Sequence, residues 1–287
     1  MFTDKNVAFI GSGIMGEAII RGLLTRNLVD PKQIYAADPL QSRLEDLQER
    51  YGIHVTTSNA EAAEKGQVVV LSTKPQNLGE VMPGIRGHMR RQDLLLSILA
   101  GTPIRKLSDG VAHASVVRAM PNTPAQIGQG MTVWTATPEV TEEQLGQAQA
   151  ILGALGQELF VNDESYLDMA TALSGTGPAY IFMFMESLID AGVHLGFSRR
   201  VAEQLVFQTM RGSLEYAAQS GKHVAELRNQ VTSPGGTTAA ALYQMEKGGL
   251  RTVISRAIWA AYQRSVELGQ GEKVKGPAGA EMGASGQ

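Results

Sequence analysis

Short, almost uninterrupted apolar runs alternate with stretches of helical periodicity through the first half of this chain. Residues 7–10, 34–37, 68–72, 94–99 and 116–120 form the runs, which suit strands buried on both faces of a parallel sheet. The stretches between them predict helices covering that sheet. Ser58-x-x-Glu61 and Thr141-x-x-Gln144 fit capping boxes, in which a hydroxyl accepts from the N3 amide and the N3 side chain reaches back. Their helices are expected to stop near Gly66 and Gly156.

A last short strand is expected at residues 159–161, after which the strand pattern disappears. From Asp163 onward the chain reads as helical, with glycine-rich interruptions at residues 174–178 and 233–236. Helices are expected at residues 178–196, 198–219, 237–247 and 250–268, Pro178 standing at a favourable first helical position. The expected division is a sheet domain over 1–163, a helical domain over 164–268 and a disordered tail over 269–287. The helices carry more apolar face than one small domain should bury, which predicts an obligate homodimer.

Composition narrows the chemistry. The length of 287 residues accommodates two domains. Lys and Arg number 25 against 28 Asp and Glu, so no uniform positive field is available to hold nucleic acid. With no cysteine, disulfides, thiolate metal sites and a Cys nucleophile are excluded. His54, His88, His113, His194 and His223 are scattered without metal-ligand spacing, and no metal is expected. Neither a secretory leader nor a membrane span is expected: the most apolar later stretch, residues 167–195, is broken by Asp168, the turn at 175–178, Glu186 and Asp190. These features together predict a soluble cytoplasmic protein.

The first apolar run leads directly into Gly11-Ser12-Gly13-Ile14-Met15-Gly16, and a helical pattern follows. This is G-x-G-x-x-G in the strand-turn-helix context that a dinucleotide requires. Gly11 permits the tight turn, Gly13 lets backbone approach a pyrophosphate, and Gly16 allows close packing of helix on strand. The fold class expected is therefore α/β, a Rossmann-type parallel sheet domain followed by an all-helical one. Asp38 ends the second run, where an acid would bind a ribose 2′-hydroxyl and repel a 2′-phosphate. It also precedes Pro39, so an ordinary helix start, Asp at N-cap and Pro at N1, explains it equally well. The segment Ser233-Pro-Gly-Gly-Thr-Thr opens a helix. Its amides could hold a small carboxylate, or it could be a plain turn capped by a threonine. Met183 and Met185 read as core or dimer packing.

Four stretches carry a family resemblance: Thr73-Lys-Pro-Gln76, Arg118-Ala-Met-Pro-Asn-Thr-Pro124, Leu173-Ser-Gly-Thr-Gly-Pro-Ala179, and Val231-Thr-Ser-Pro-Gly-Gly-Thr-Thr238 with its flanks. In this order they resemble the pyrroline-5-carboxylate reductases, which make proline by reducing a cyclic imine. The resemblance implies NADPH or NADH as cofactor, a helical domain that interlocks with a second subunit, and a ring of such dimers as a larger form. It places nucleotide contacts on the turn from Gly11 to Gly16, on Asn59, Lys74, Pro75, Ala100 and Gly101, and substrate contacts on Gln230, Val231, Ser233, Gly236, Thr237 and Thr238. Asp38 departs from the small or basic residue found there in members that favour NADPH.

The substrate motif holds no carboxylate or histidine. That suits an imine protonated in solution and oriented by a hydroxyl, for which Thr238 is the candidate. Two other readings compete. A β-hydroxyacid dehydrogenase shares a G-x-G-x-M-G turn, but its catalytic lysine has no counterpart here, because no lysine lies between Lys106 and Lys222. A non-catalytic NAD(P)-sensing dimer is the other.

Overall fold

The computed structural model describes residues 2–270. The chain divides into two compact units, one formed up to Gly175 and again from Ala261, the other running from Thr176 to Ala260.

The first unit is built on an eight-stranded sheet: β1 (Val7–Ile10), β2 (Ile34–Ala37), β3 (His54–Thr56), β4 (Val68–Leu71), β5 (Leu94–Ser97), β6 (Val116–Met120), β7 (Gly130–Ala136) and β8 (Gly156–Phe160). The order is β3-β2-β1-β4-β5-β6-β7-β8. Every neighbouring pair is parallel except β6 with β7. Chain order reverses between β1 and β4, which pair with Val7 opposite Val68, and ligands bind at such switch points in open α/β sheets.

Helices cover both faces, so alternate residues of one strand enter different cores. Phe9 packs with Ile19, Ile20 and Leu23 of α1 (Ile14–Thr25), whereas Ala8 and Ile10 pack with Leu78 and Ile85 of α4 (Leu78–Ile85). The other covering helices are α2 (Gln41–Tyr51), α3 (Asn59–Lys65), α5 (Ile104–Val111) and α6 (Glu142–Gly153).

Several local expectations need correction. The Thr141–Gln144 capping box is complete, but at Ser58 only half forms, because the Glu61 carboxylate accepts instead from Thr56 Oγ1 at 2.5 Å. The helix from Thr141 ends at Gly153, and Gly156 opens β8 with φ +142°, its Cβ position only 2.2 Å from Gly130 O. Strands β3 and β7 have no counterpart among the expected apolar runs. Gly269 and Gln270, expected in the tail, complete the last helix; the rest of the predicted tail lies outside the described residues.

An ion cluster within the first unit fastens the next helix, α7 (Ser165–Ala170), to the sheet. Arg118 on β6 is 3% exposed. It donates to Glu164 Oε1 at 2.7 Å and to Asp168 Oδ1 at 3.3 Å. Glu164 also accepts from Ile104 N, and Asp168 from Ser265 Oγ at 2.8 Å. A π-helical turn over Thr171–Gly175 follows. Asn122 bridges it to β7, donating to Ser174 O at 3.1 Å and accepting from Met131 N at 2.9 Å.

The second unit contains α8 (Gly177–His194), α9 (Arg199–Ser220), α10 (Val224–Gln230), α11 (Thr237–Lys247) and the first half of α12 (Leu250–Gln270). Among its residues only Ile189 and Ala202 are buried hydrophobics. Phe182, Met183, Leu214 and Trp259 are each at least 60% exposed, so the large apolar side chains of this unit stand mostly in the open.

Candidate active site

β1 ends at Ile10, and the glycine turn follows at the switch point. Gly11 has φ +87°, and a Cβ there would stand 2.6 Å from Thr73 Cγ2 and 2.8 Å from Thr73 N, so the turn leaves no room for a side chain. Gly16 has the role expected of it: its Cβ position is 2.7 Å from Gly11 O. Ser72 Oγ on the neighbouring β4 segment also donates to Gly11 O, at 2.6 Å. Gly13 differs, with nothing within 4 Å of its Cβ position. It is the N-cap of α1 and offers no side chain to the first helical amides.

Ser12 is completely buried, its hydroxyl donating to Ala37 O at 3.2 Å. Its amide donates to Asp38 Oδ2 at 3.0 Å, and its carbonyl accepts from Arg43 Nε at 2.8 Å. Asp38 Oδ1 accepts from Leu40 N at 3.0 Å. The N-cap of α2 is Leu40, so the Asp-cap and Pro-N1 arrangement considered for residues 38 and 39 does not form. Asp38 instead folds over a turn of its own and ties it to the glycine turn.

Ile14 is 68% exposed at the start of α1, whereas Met15 packs against the sheet core. Asn59 opens α3 behind the Ser58 cap. Exposed Lys74 precedes a 3₁₀ turn in which Pro75 is the first residue. Ala100 is half-buried. Gly101, with φ +60°, lies under α12, its Cβ position 2.8 Å from Leu268 Cβ. Helix packing therefore accounts for Gly101 without a ligand.

The open face at Gly13, the uncapped amides of α1 and the buried, unpartnered Thr73 Oγ1 together fit a dinucleotide, whose pyrophosphate needs close backbone and donors. No group of three or more His, Asp or Glu suited to a metal ion occurs among the described residues.

The substrate motif lies wholly within the second unit. Gln230 ends α10, Val231 is 66% exposed and Ser233 is exposed. Gly235 has φ +72°, and Gly236 is the N-cap of α11, its Cβ position 2.5 Å from Ser233 Oγ. A side chain at 236 would displace that hydroxyl. No side chain caps this helix, so the threonine cap considered above is not what closes the turn. Thr237 is exposed and Thr238 half-buried.

Residues 164–268 match the family model described as pyrroline-5-carboxylate reductase dimerisation, and residues 6–101 the one described as NADP oxidoreductase, coenzyme F420-dependent. The pyrroline-5-carboxylate reductase of Synechocystis sp. is 40% identical over 92% of this chain and 98% of its own length. The chain belongs to the pyrroline-5-carboxylate reductase family. The Pseudomonas aeruginosa reductase is also 40% identical, over 93% of the chain and 98% of its own. A crystal structure of the Plasmodium falciparum pyrroline carboxylate reductase with NADP bound superposes with a TM-score of 0.85 at 32% identity, covering 93% of this chain and 98% of that one. The motif resemblance is thus borne out, as is the expected Rossmann-type sheet with a helical region after it.

Within this family member, the sequence reading missed the groups around the turn. Arg43 and Arg50 on α2 converge on Glu17 of α1: Arg43 Nη2 pairs with Oε2, and Arg50 Nη1 reaches Oε1 at 2.6 Å. Tyr51 also donates to Oε1, at 2.8 Å. Burial alone would raise the Glu17 pKa, but the hydrogen bonds from Arg50, Arg43 and Tyr51 prevail and lower it from 4.5 to about 2. No pattern in the sequence pairs residues 17, 43 and 50; only parallel packing of β1 and β2 does.

Proposed function

We propose that the chain reduces pyrroline-5-carboxylate, a cyclic imino acid, to proline, using NADPH or NADH. The observation that carries this reading is 40% identity with the Synechocystis reductase along 98% of that protein, together with a glycine turn whose one unobstructed glycine, Gly13, is where a pyrophosphate must approach. The cofactor supplies the hydride for the imine carbon.

The chain's own residues bind and orient. The first amides of α1 hold the pyrophosphate, with Thr73 Oγ1 a further donor, and Asp38 faces the ribose. The uncapped start of α11 receives the substrate carboxylate through its amides, within a turn made by Gln230, Val231, Ser233, Gly236, Thr237 and Thr238. Thr238 donates its hydroxyl to the imine nitrogen, holding the ring in line for reduction. The acting form is a homodimer, supported by the dimerisation match and the bare apolar helices. A ring of dimers is its larger assembly and the cytoplasm its compartment. No helix among the described residues is long and apolar enough to cross a membrane.

The direct test is oxidation of NADPH or NADH by the purified chain, followed at 340 nm, with and without pyrroline-5-carboxylate. Imine-dependent oxidation with proline as product supports the reading, and its absence with both cofactors removes it.

A further inference from the structure

The Ser12 peptide is held at both ends, its amide by Asp38 and its carbonyl by Arg43 Nε at 2.8 Å. The same guanidinium pairs with Glu17, which lies in the first turn of α1. Glu17 is thus a carboxylate at the helix end that must accept a phosphate. An unpaired anion there would oppose the ligand, because the dipole and free amides at a helix N-terminus attract negative charge and a resident carboxylate competes for it. Arg43 and Arg50 both pair with it, and its side chain is 18% exposed. The remaining Arg43 contact, with Asp46 at 3.1 Å, is dispensable, since Asp46 is already doubly bonded by Arg50.

From this geometry we infer that Arg43 is a positioning residue for the pyrophosphate: it fixes the Ser12 peptide and, with Arg50, cancels the Glu17 charge, so that α1 presents amides rather than an anion. The inference rests on the dinucleotide reading above and deepens it. Arg43 acts through the turn and the helix, not through the nicotinamide or the adenosine 2′-position. Its removal must therefore weaken NADH and NADPH alike. This separates it from an arginine that binds a 2′-phosphate, which would affect NADPH alone.

The experiment is calorimetric titration with ADP-ribose, which carries the pyrophosphate but neither nicotinamide nor 2′-phosphate, alongside NADH and NADPH. Arg43→Met should raise all three Kd values about tenfold, the size of one charge-assisted hydrogen bond, and leave the NADH to NADPH ratio within about twofold. Adding Glu17→Gln to that variant should recover part of the loss, because the uncancelled charge is gone. Arg43→Gln keeps a donor for Ser12 and guards against misfolding of the Met variant; it should show an intermediate loss. An unchanged ADP-ribose Kd in both Arg43 variants, or a loss confined to NADPH, overturns the inference. A wild-type chain that binds none of the three ligands removes the dinucleotide reading and this inference with it.

Discussion

Asp38 Oδ2 accepts the Ser12 amide at 3.0 Å, which makes the acid at the end of β2 a brace of the glycine turn. Its second oxygen is engaged by Leu40 N. Each oxygen keeps a lone pair, so the carboxylate can still meet a ribose hydroxyl and still oppose a 2′-phosphate.

Asp38→Asn removes the charge but preserves an acceptor for one of the two amides. The NADPH to NADH ratio of kcat/KM should rise about tenfold, the scale of one like-charge contact near a protein surface. An unaltered ratio would assign Asp38 to the turn alone.

Thr238→Ala should lower kcat by roughly 10²-fold, the usual cost of one preorganised donor. Thr238→Ser should keep most activity, and Thr237→Ala should act mainly on KM. Steady-state kinetics with both substrates varied distinguishes these, and an alanine variant of normal turnover would exclude Thr238 from the reaction.

Glu17 has a folded pKa of about 2 against 4.5 unperturbed. For a group with a depressed pKa, the unfolded chain binds the proton first. The stability that Glu17 contributes is therefore complete above about pH 5 and is lost as pH falls from 4.5 toward 2. Urea unfolding of the wild type and Glu17→Gln should show a gap that is constant from pH 7 to 5 and closes by about pH 2. A gap independent of pH throughout would contradict the ion cluster.

Arg118→Met leaves Glu164, the N-cap of α7, and Asp168 within that helix without their cation. Breaking one partner from a buried ion group costs about 3 kcal/mol, so the urea midpoint should fall accordingly. A loss below about 0.5 kcal/mol, the level of ordinary surface changes, would show that packing alone holds α7.

Met183 on α8 is 70% exposed. Met183→Glu places a charge on that bare face and should convert the dimer to a smaller species in light scattering, since an unpaired charge at an interface is strongly disfavoured. A stable dimer in this variant would place the interface elsewhere.

The parts of this molecule readable from sequence were those where one local rule decides. Residues 7–10 and the three glycines carried the strand, turn and helix because Gly11 and Gly16 admit no side chain. The Val231–Thr238 stretch was readable through its family resemblance, since its residues alone fit a plain interhelical turn as well as an anion site. β3 escaped because it is three residues long and not buried, leaving no apolar run to notice. β7 escaped because Thr132 and Thr135 are buried inside it and dilute its apolar pattern. The Arg43, Arg50 and Glu17 cluster is long-range in sequence and made of residues that ordinarily face water, so no spacing announces it. The Arg118 cluster was hidden likewise, because it joins residues far apart along the chain.

Gly101 lies under Leu268, near the end of α12, and the same helix brings Ser265 to Asp168. Translation therefore delivers the last packing partner of the first-made unit only after the helical unit has been synthesised. Order of synthesis and order of completion run in opposite directions: the nascent sheet waits open while the inserted helices emerge and find their partners. A ribosome stalled anywhere between Thr176 and Leu268 would hold a sheet unit missing this cover, and folding on the ribosome should register its closing step late, when the final turns of α12 leave the exit tunnel.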